Sequence, residues 1–189
     1  MRQLEAGRVY RTAYFGRFGS NPTRVVAALV AQGKLERLQH GLYHAPRTGA
    51  FGKVPPSEDA LLKARFGDSP YLRTGPEVWN ALGLGCTAVA AVPLVYNRSL
   101  TGTAELGGRR FEFRRVRFPL SPTPEYFVVD LLQNTGRAGA DRGEVLDMLA
   151  LAVAEGRFDP DRLHEMAQEF GTMGVLRSVD RVLVRKSGC

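Results

Sequence analysis

Residues 21–47, NPTRVVAALVAQGKLERLQHGLYHAPR, constrain the fold more than any other stretch of this chain. Ser20 and Asn21 are good helix caps, because their side-chain oxygens accept a backbone N–H of the first turn, and Pro22 suits that turn. Val25, Val26, Leu29 and Val30 then recur at helical spacing and form one apolar face. Gly33 stops the helix. The positions between, Thr23, Arg24, Ala27, Ala28 and Ala31, give a second face that is small except at its polar, basic N-terminal end. KLERLQ carries Leu35 and Leu38 in imperfect alternation, His40 and Gly41 make a turn, and LYHAP returns as a second short strand. Upstream, RTAYFGRFG reads as a short helix from near Thr12 that offers Tyr14, Phe15 and Phe18 to a core. Helix, turn, helix and a two-stranded wing predict a winged helix-turn-helix over residues 1–48.

Charge is concentrated in the same segment. Residues 1–48 hold eight Lys/Arg against Glu5 and Glu36, a net +6 out of +7 for the whole chain. Such a concentration is the electrostatic footprint of a polyanion partner, set against the plainer reading of a solvated basic face. In a DNA major groove, the alanines of the second helix would allow close approach while Thr23 and Arg24 reach base edges, with Ser20 and Asn21 at the helix start. Arg11, Arg17, Lys34, Arg37 and Arg47 are candidates for phosphates, and Gln39 and His40 on the wing complete the set. The competing use of a winged helix is protein contact alone.

The residues also carry a family resemblance. Gly33, Leu35, Arg37, Leu38, Gly41, Leu42 and Tyr43 follow the pattern G-x-[LI]-x-R-[LV]-x-x-G-[LVI]-Y, and Leu82, Gly83, Leu84 and Pro93 precede the basic run GGRRFEFRRV. Over roughly residues 8–118 the chain resembles the AbiEi-type antitoxins of type IV toxin–antitoxin systems. The resemblance implies a cytoplasmic protein that binds inverted repeats in its own promoter, represses its operon, and opposes a nucleotidyltransferase toxin. Inverted repeats imply two copies on the DNA, with half-sites about 34 Å or a multiple apart. Too few residues precede Thr12 for a full opening helix, so that helix is expected to be short or missing.

The rest of the chain predicts an α+β fold: after the winged domain, an antitoxin domain over 56–189, its α/β part at 56–120 and its helical part at 121–189. RTGAFGKVPPS (47–57) is Gly/Pro-rich and reads as the connection. SEDALLKARFG is a helix capped by Ser57, and GPEVWNALGLG a second one opened by Pro76. AVAAVPLVYN reads as a buried strand in which Pro93 argues for an edge or a bulge. LTGTAELGGRRFEFRRVRF is a hairpin turning at Gly107-Gly108. A bulge near Arg114-Arg115 would bring Phe111, Phe113, Val116 and Phe118 to one side. It would leave Arg110, Arg114 and Arg115 as a secondary basic patch, for nucleic acid, for an acidic partner, or merely to block edge pairing. From Pro124 onward four amphipathic or apolar segments predict a small bundle.

No catalytic constellation is visible. GLGCTAVAA has glycines but no phosphate-loop lysine, and His40, His44 and His164 lack metal-ligand partners at useful spacing. Cys86 reads as a buried thiol, Trp79 and Tyr43 as core residues, and Asp130, Asp141 and Asp147 as helix surface. No enzyme activity, cofactor or metal is expected. The chain has no apolar run of the roughly 18–20 residues that a membrane span needs and no signal-peptide core near Arg2. A stand-alone winged-helix regulator whose C-terminal domain senses a ligand or a protein partner is the alternative, and a nuclease with an unrecognised site a third.

Overall fold

The computed structural model describes residues 4–186. The fold is mixed α+β, with eight helices, one of them 3₁₀, and several small sheets among the described residues. It divides into two compact units, residues 1–70 with 103–111, and residues 71–102 with 112–189.

The first unit opens with β1 (Val9–Arg11), a 3₁₀ helix (Thr12–Phe18), α1 (Pro22–Ala31), β2 (Glu36–Gln39) and β3 (Leu42–His44). The strands form an antiparallel sheet in the order β1-β3-β2, with Tyr10 opposite Tyr43 and Val9 opposite His44. One core gathers Tyr10, Phe15, Val26, Leu29, Leu35 and Ala45, with Tyr14, Val25 and Tyr43 packed against it. Val30, placed on the apolar face by its spacing, lies at its margin and is 36% exposed. The imperfect alternation of Leu35 and Leu38 has a structural cause. The register of β2 shifts between Arg37 and Gln39, so Leu35 joins the core while Leu38 lies against Gly107 beside Leu61. Gly41, at φ +74°, makes the tight turn into β3 in a backbone region that other residues avoid.

The division between units differs from the one expected at residue 48. RTGAFGKVPPS is not a plain connection: it folds into a hairpin of β4 (Arg47–Gly49) and β5 (Gly52–Val54). α2 (Glu58–Phe66), capped by the Ser57 hydroxyl accepting from the Ala60 N–H at 3.2 Å, then packs against β1 and buries Leu61 and Leu62. Val9, Leu42 and His44 are buried too, on the sheet face away from Tyr10 and Tyr43. Residues 4–8 contain no helix, and α2, from later in the chain, supplies an apolar face to the sheet instead. Glycines and prolines mark turns, but only the pairing of flanking residues decides whether a turn links domains or tips a hairpin.

His44 is 2% exposed, and its Nε2 has no hydrogen-bond partner among the described residues. Burial lowers its pKa from 6.5, partly offset by the Glu36 carboxylate. The folded state therefore takes up its proton less readily than the unfolded chain, and the first unit is expected to lose stability as pH falls through 6.5. Protection factors of amides in β1 and β3, with the intrinsic pH dependence of exchange divided out, should fall between about pH 7.5 and 5.5, and His44→Leu should remove the His44 part of that fall. An identical pH response in the variant would refute the assignment.

The second unit contains β6 (Tyr71–Thr74), α3 (Pro76–Asn80) and β7 (Leu94–Asn97). β8 (Gly102–Leu106) and β9 (Arg109–Arg115) follow as a hairpin, and the strand order is β6-β7-β9-β8. Residues 103–111 of that hairpin belong to the first unit, where Arg109 pairs with Glu58 at 3.0 Å. From Glu112 onward, β9 pairs in parallel with β7 in the second unit. Two expectations are corrected here. Pro93 precedes β7, an interior strand, so no ladder hydrogen bond is lost and neither edge nor bulge is needed. β9 pairs regularly with β7 through Arg115 without a bulge and then ends; Val116 is 37% exposed, and Phe118 is buried after the chain has left the sheet.

α4 (Pro124–Gln133), α5 (Arg142–Ala154), α6 (Pro160–Phe170) and α7 (Met173–Lys186) form the helical bundle. The side chains of Thr123, Asp141 and Asp159 cap the first three. Their core joins Val128, Val129, Leu131, Leu149, Leu163 and Val179 to Trp79, Leu94 and Tyr96.

Candidate nucleic-acid interface

α1 begins where Asn21 caps it, its Oδ1 accepting from the Arg24 N–H at 3.1 Å. The helix ends at Gly33, whose φ of +68° lets the Lys34 N–H return to the Leu29 carbonyl at 2.9 Å. Val26 and Leu29 turn inward, so Thr23, Arg24, Ala27, Ala28 and Ala31 share the exposed face. That face has no side chain longer than threonine beyond its first turn. There the exposed Arg24 lies at the positive end of the helix dipole, with no acidic residue in the turn.

The other candidate cations in this unit are also exposed: Arg11 at the end of β1, Arg17, Lys34 after α1, Arg37 on β2 and Arg47 on β4. No carboxylate pairs with any of them, or with Arg24, among the described residues. Arg17 lies over the Tyr14 ring at 4.0 Å, which fixes its orientation without neutralising it. Arg8 differs, because Glu5 holds it at 2.8 Å. Ser20 is exposed before the cap, and His40 is exposed in the β2–β3 turn. Gln39 is committed elsewhere, since its Oε1 accepts from the Gly107 N–H at 3.2 Å and anchors the hairpin tip. Asn21 likewise spends its side-chain oxygen on the cap.

Charge divides more sharply by compact unit than along the sequence. The first unit holds thirteen Lys/Arg and six Asp/Glu, the second thirteen of each, so the whole +7 belongs to the first.

The three arginines expected as a secondary basic patch differ in their commitments. Arg110 is exposed in the first unit and Arg115 in the second. Arg114 is half-buried, held by Glu112 at 3.0 Å and reaching the Asn134 Oδ1 at 3.5 Å. Burial pushes Glu112 upward, but hydrogen bonds from Arg137 and Arg114 and their charges outweigh it and hold the carboxyl below its usual range.

Asp130, expected on the helix surface, is instead buried. It is 2% exposed, and each of its oxygens takes two donors. The Thr74 hydroxyl and Trp79 Nε1 (2.9 Å) donate to Oδ2; the Tyr96 hydroxyl (2.7 Å) and Asn134 Nδ2 (3.2 Å) donate to Oδ1. Burial raises its pKa above the carboxylate range, opposed by the donors Thr74, Tyr96 and Trp79 and the charge of Arg114. Asp141 caps α5. Trp79 is fully buried, Tyr43 half-buried against the first core, and Cys86 buried, its thiol pKa raised by desolvation.

No group of three or more His, Cys, Asp or Glu able to hold a metal occurs among the described residues. His164 Nδ1 lies 3.0 Å from Asp180 on the exposed side of α6 and α7. In the second unit an open groove of about 590 Å³ is lined by Arg98, Arg115, Arg117, Phe118, Glu169 and Phe170. No described helix is long and apolar enough to cross a membrane.

No family model matches the chain, and no curated protein is significantly similar to it.

Proposed function

We propose that the first unit is a winged helix-turn-helix that binds double-stranded DNA, with α1 as the recognition helix in the major groove. The observation that carries this reading is the exposed small-residue face of α1, headed by Thr23 and Arg24, in the unit that holds the entire net charge. The succession of β1, the 3₁₀ helix, α1, β2 and β3, with strand order β1-β3-β2, supports it. Arg24 and Thr23 read base edges, while Arg11, Arg17, Lys34, Arg37 and Arg47 meet phosphates. Gln39 is left out, being held by Gly107.

At the level of the whole chain the reading is a non-catalytic cytoplasmic antitoxin and autorepressor of a type IV toxin–antitoxin operon, opposing a nucleotidyltransferase toxin. This part rests on the sequence pattern around Gly33–Tyr43 and Leu82–Pro93. A reporter driven by the protein's own promoter should be repressed by the chain. Growth arrest by a nucleotidyltransferase encoded beside it should be relieved on co-expression. Repression without relief would favour the second reading, a stand-alone regulator, for which the groove lined by Arg98, Arg115 and Arg117 offers room for an anionic ligand. Failure of both would reject the assignment.

A further inference from the structure

One apolar side chain in the first unit has nothing to pack against. Phe51 is 105% exposed at the tip of the β4–β5 hairpin, between Gly49 and Gly52. Gly52, at φ +105°, closes the turn in a conformation that only glycine adopts readily. Isolated exposed hydrophobics are common on protein surfaces, so exposure alone proves nothing. The surroundings are more specific. From Arg37 to Ser57 the chain contains no Asp or Glu, and the hairpin carries Arg47 on one strand and Lys53 on the other. Lys53 pairs with Glu36, which ties the hairpin to β2, the first strand of the wing. The arrangement is a short basic arm with an aromatic tip, attached beside the surface assigned to DNA. An acid-free segment of this kind matches a polyanion better than it matches a second copy of the same basic unit.

We propose that the β4–β5 hairpin is a DNA-inserting arm, in which Phe51 wedges between base steps of the minor groove while Arg47 holds a flanking phosphate. The proposal rests on the DNA-binding reading above and adds to it a deformation of the duplex. Apolar wedges of this kind partly unstack a step and kink DNA toward the major groove. Sequence preference then extends to a flexible pyrimidine–purine step that α1 never touches.

The test compares the full-length chain with Phe51→Ala and Phe51→Leu on a duplex from its own promoter. Energy transfer between dyes at the duplex ends reads the bend, and a titration reads affinity. Because Phe51 is fully exposed, neither substitution disturbs a core. The unaltered chain is expected to bend the duplex. Phe51→Ala should lose most of the bend and bind about tenfold more weakly, with an unchanged salt dependence, since no phosphate contact is removed. Phe51→Leu should keep part of the bend. A straight duplex in the complex, or a Phe51→Ala complex with the original bend and affinity, would overturn the arm. So would a Phe51→Ala effect confined to self-association in sedimentation, which would make Phe51 a contact between copies. If the unaltered chain fails to prefer its promoter over a scrambled duplex, the DNA-binding reading falls, and the arm with it.

Discussion

Asp130→Ala is expected to destabilise the second unit by about 3–5 kcal/mol, a large part of the roughly 5–15 kcal/mol that holds a domain folded. The expectation follows from donor bookkeeping. Thr74, Trp79 and Tyr96 aim their donors at the Asp130 carboxylate, and none has another acceptor recorded for that hydrogen. Each donor stranded in a core costs about 1–3 kcal/mol. Asn134 suffers less, because its amide also donates to the Asp130 backbone carbonyl at 2.8 Å. Asp130→Asn keeps the shape but turns an NH₂ toward two donors, and should cost about 2 kcal/mol. Trp79 is the chain's sole tryptophan and donates directly to Asp130, so urea unfolding followed by its fluorescence reports on this network. An unchanged urea midpoint for Asp130→Ala would show that the network does not hold the unit together. The pH response should have a definite sign. With its folded pKa raised, Asp130 contributes stability that is complete below the unfolded pKa and lost as pH rises through the folded one.

Arg24→Ala is expected to weaken promoter binding by about 10- to 100-fold and to relax preference at the base it reads, the effect of losing one bidentate base contact. The side chain leaves α1 in its first turn, where the Asn21 cap fixes the backbone at 3.1 Å and Val26 and Leu29 anchor the helix to the core. The arginine is thus presented from a rigid element, and its removal disturbs no buried contact. Lys34→Ala provides the contrast. It should weaken binding to every sequence alike and lower the salt slope by about one unit. Competition titrations with single-base promoter variants distinguish the two. Uniform weakening by Arg24→Ala would move Arg24 to the phosphates, and no effect from either substitution would exclude α1 from the groove.

What was legible in the sequence was mostly local. The boundaries of α1 follow from Asn21, Pro22 and Gly33, and the start of α6 from Asp159 and Pro160, whereas the caps that Thr123 and Asp141 give α4 and α5 are seen only in the structure. What was not legible depends on distant partners. Leu61 and Leu62 look alike whether α2 joins the preceding unit or the following one, and only the packing of α2 on β1 decides it. Val9–Arg11 is too short to show strand periodicity and is a strand because β3 pairs with it. Asp130 stands within YFVVDLL, an almost continuous apolar run, and that was the available signal. A carboxylate in a helix apolar on all sides must be buried with partners, but Thr74, Trp79 and Tyr96 lie more than thirty residues away, where periodicity has no reach. Arg114 was misplaced for a related reason. Strand alternation shows that it points away from Phe113, but not that Glu112 and Asn134 hold it there.

Within the candidate interface the residue types were readable and their commitments were not. Arg11, Arg17, Arg24, Lys34, Arg37 and Arg47 are exposed without carboxylate partners among the described residues, whereas Gln39 is used by Gly107. Phe51 carries no signal in the sequence, because GAFG between the wing and Pro55-Pro56 looks like linker. A single aromatic becomes informative only once the hairpin that carries it is seen.

The central claim is that the first unit binds DNA through a basic, sequence-reading surface, and titration of the purified chain against its own promoter and a scrambled duplex over a salt series tests it most directly. The expected result is tighter binding to the promoter, with a log–log salt slope of roughly −4 to −5 for each bound copy, from five phosphate-directed cations at about −0.9 each. Equal, weak binding to both duplexes would contradict the account, and would mean that the charge of the first unit serves another partner.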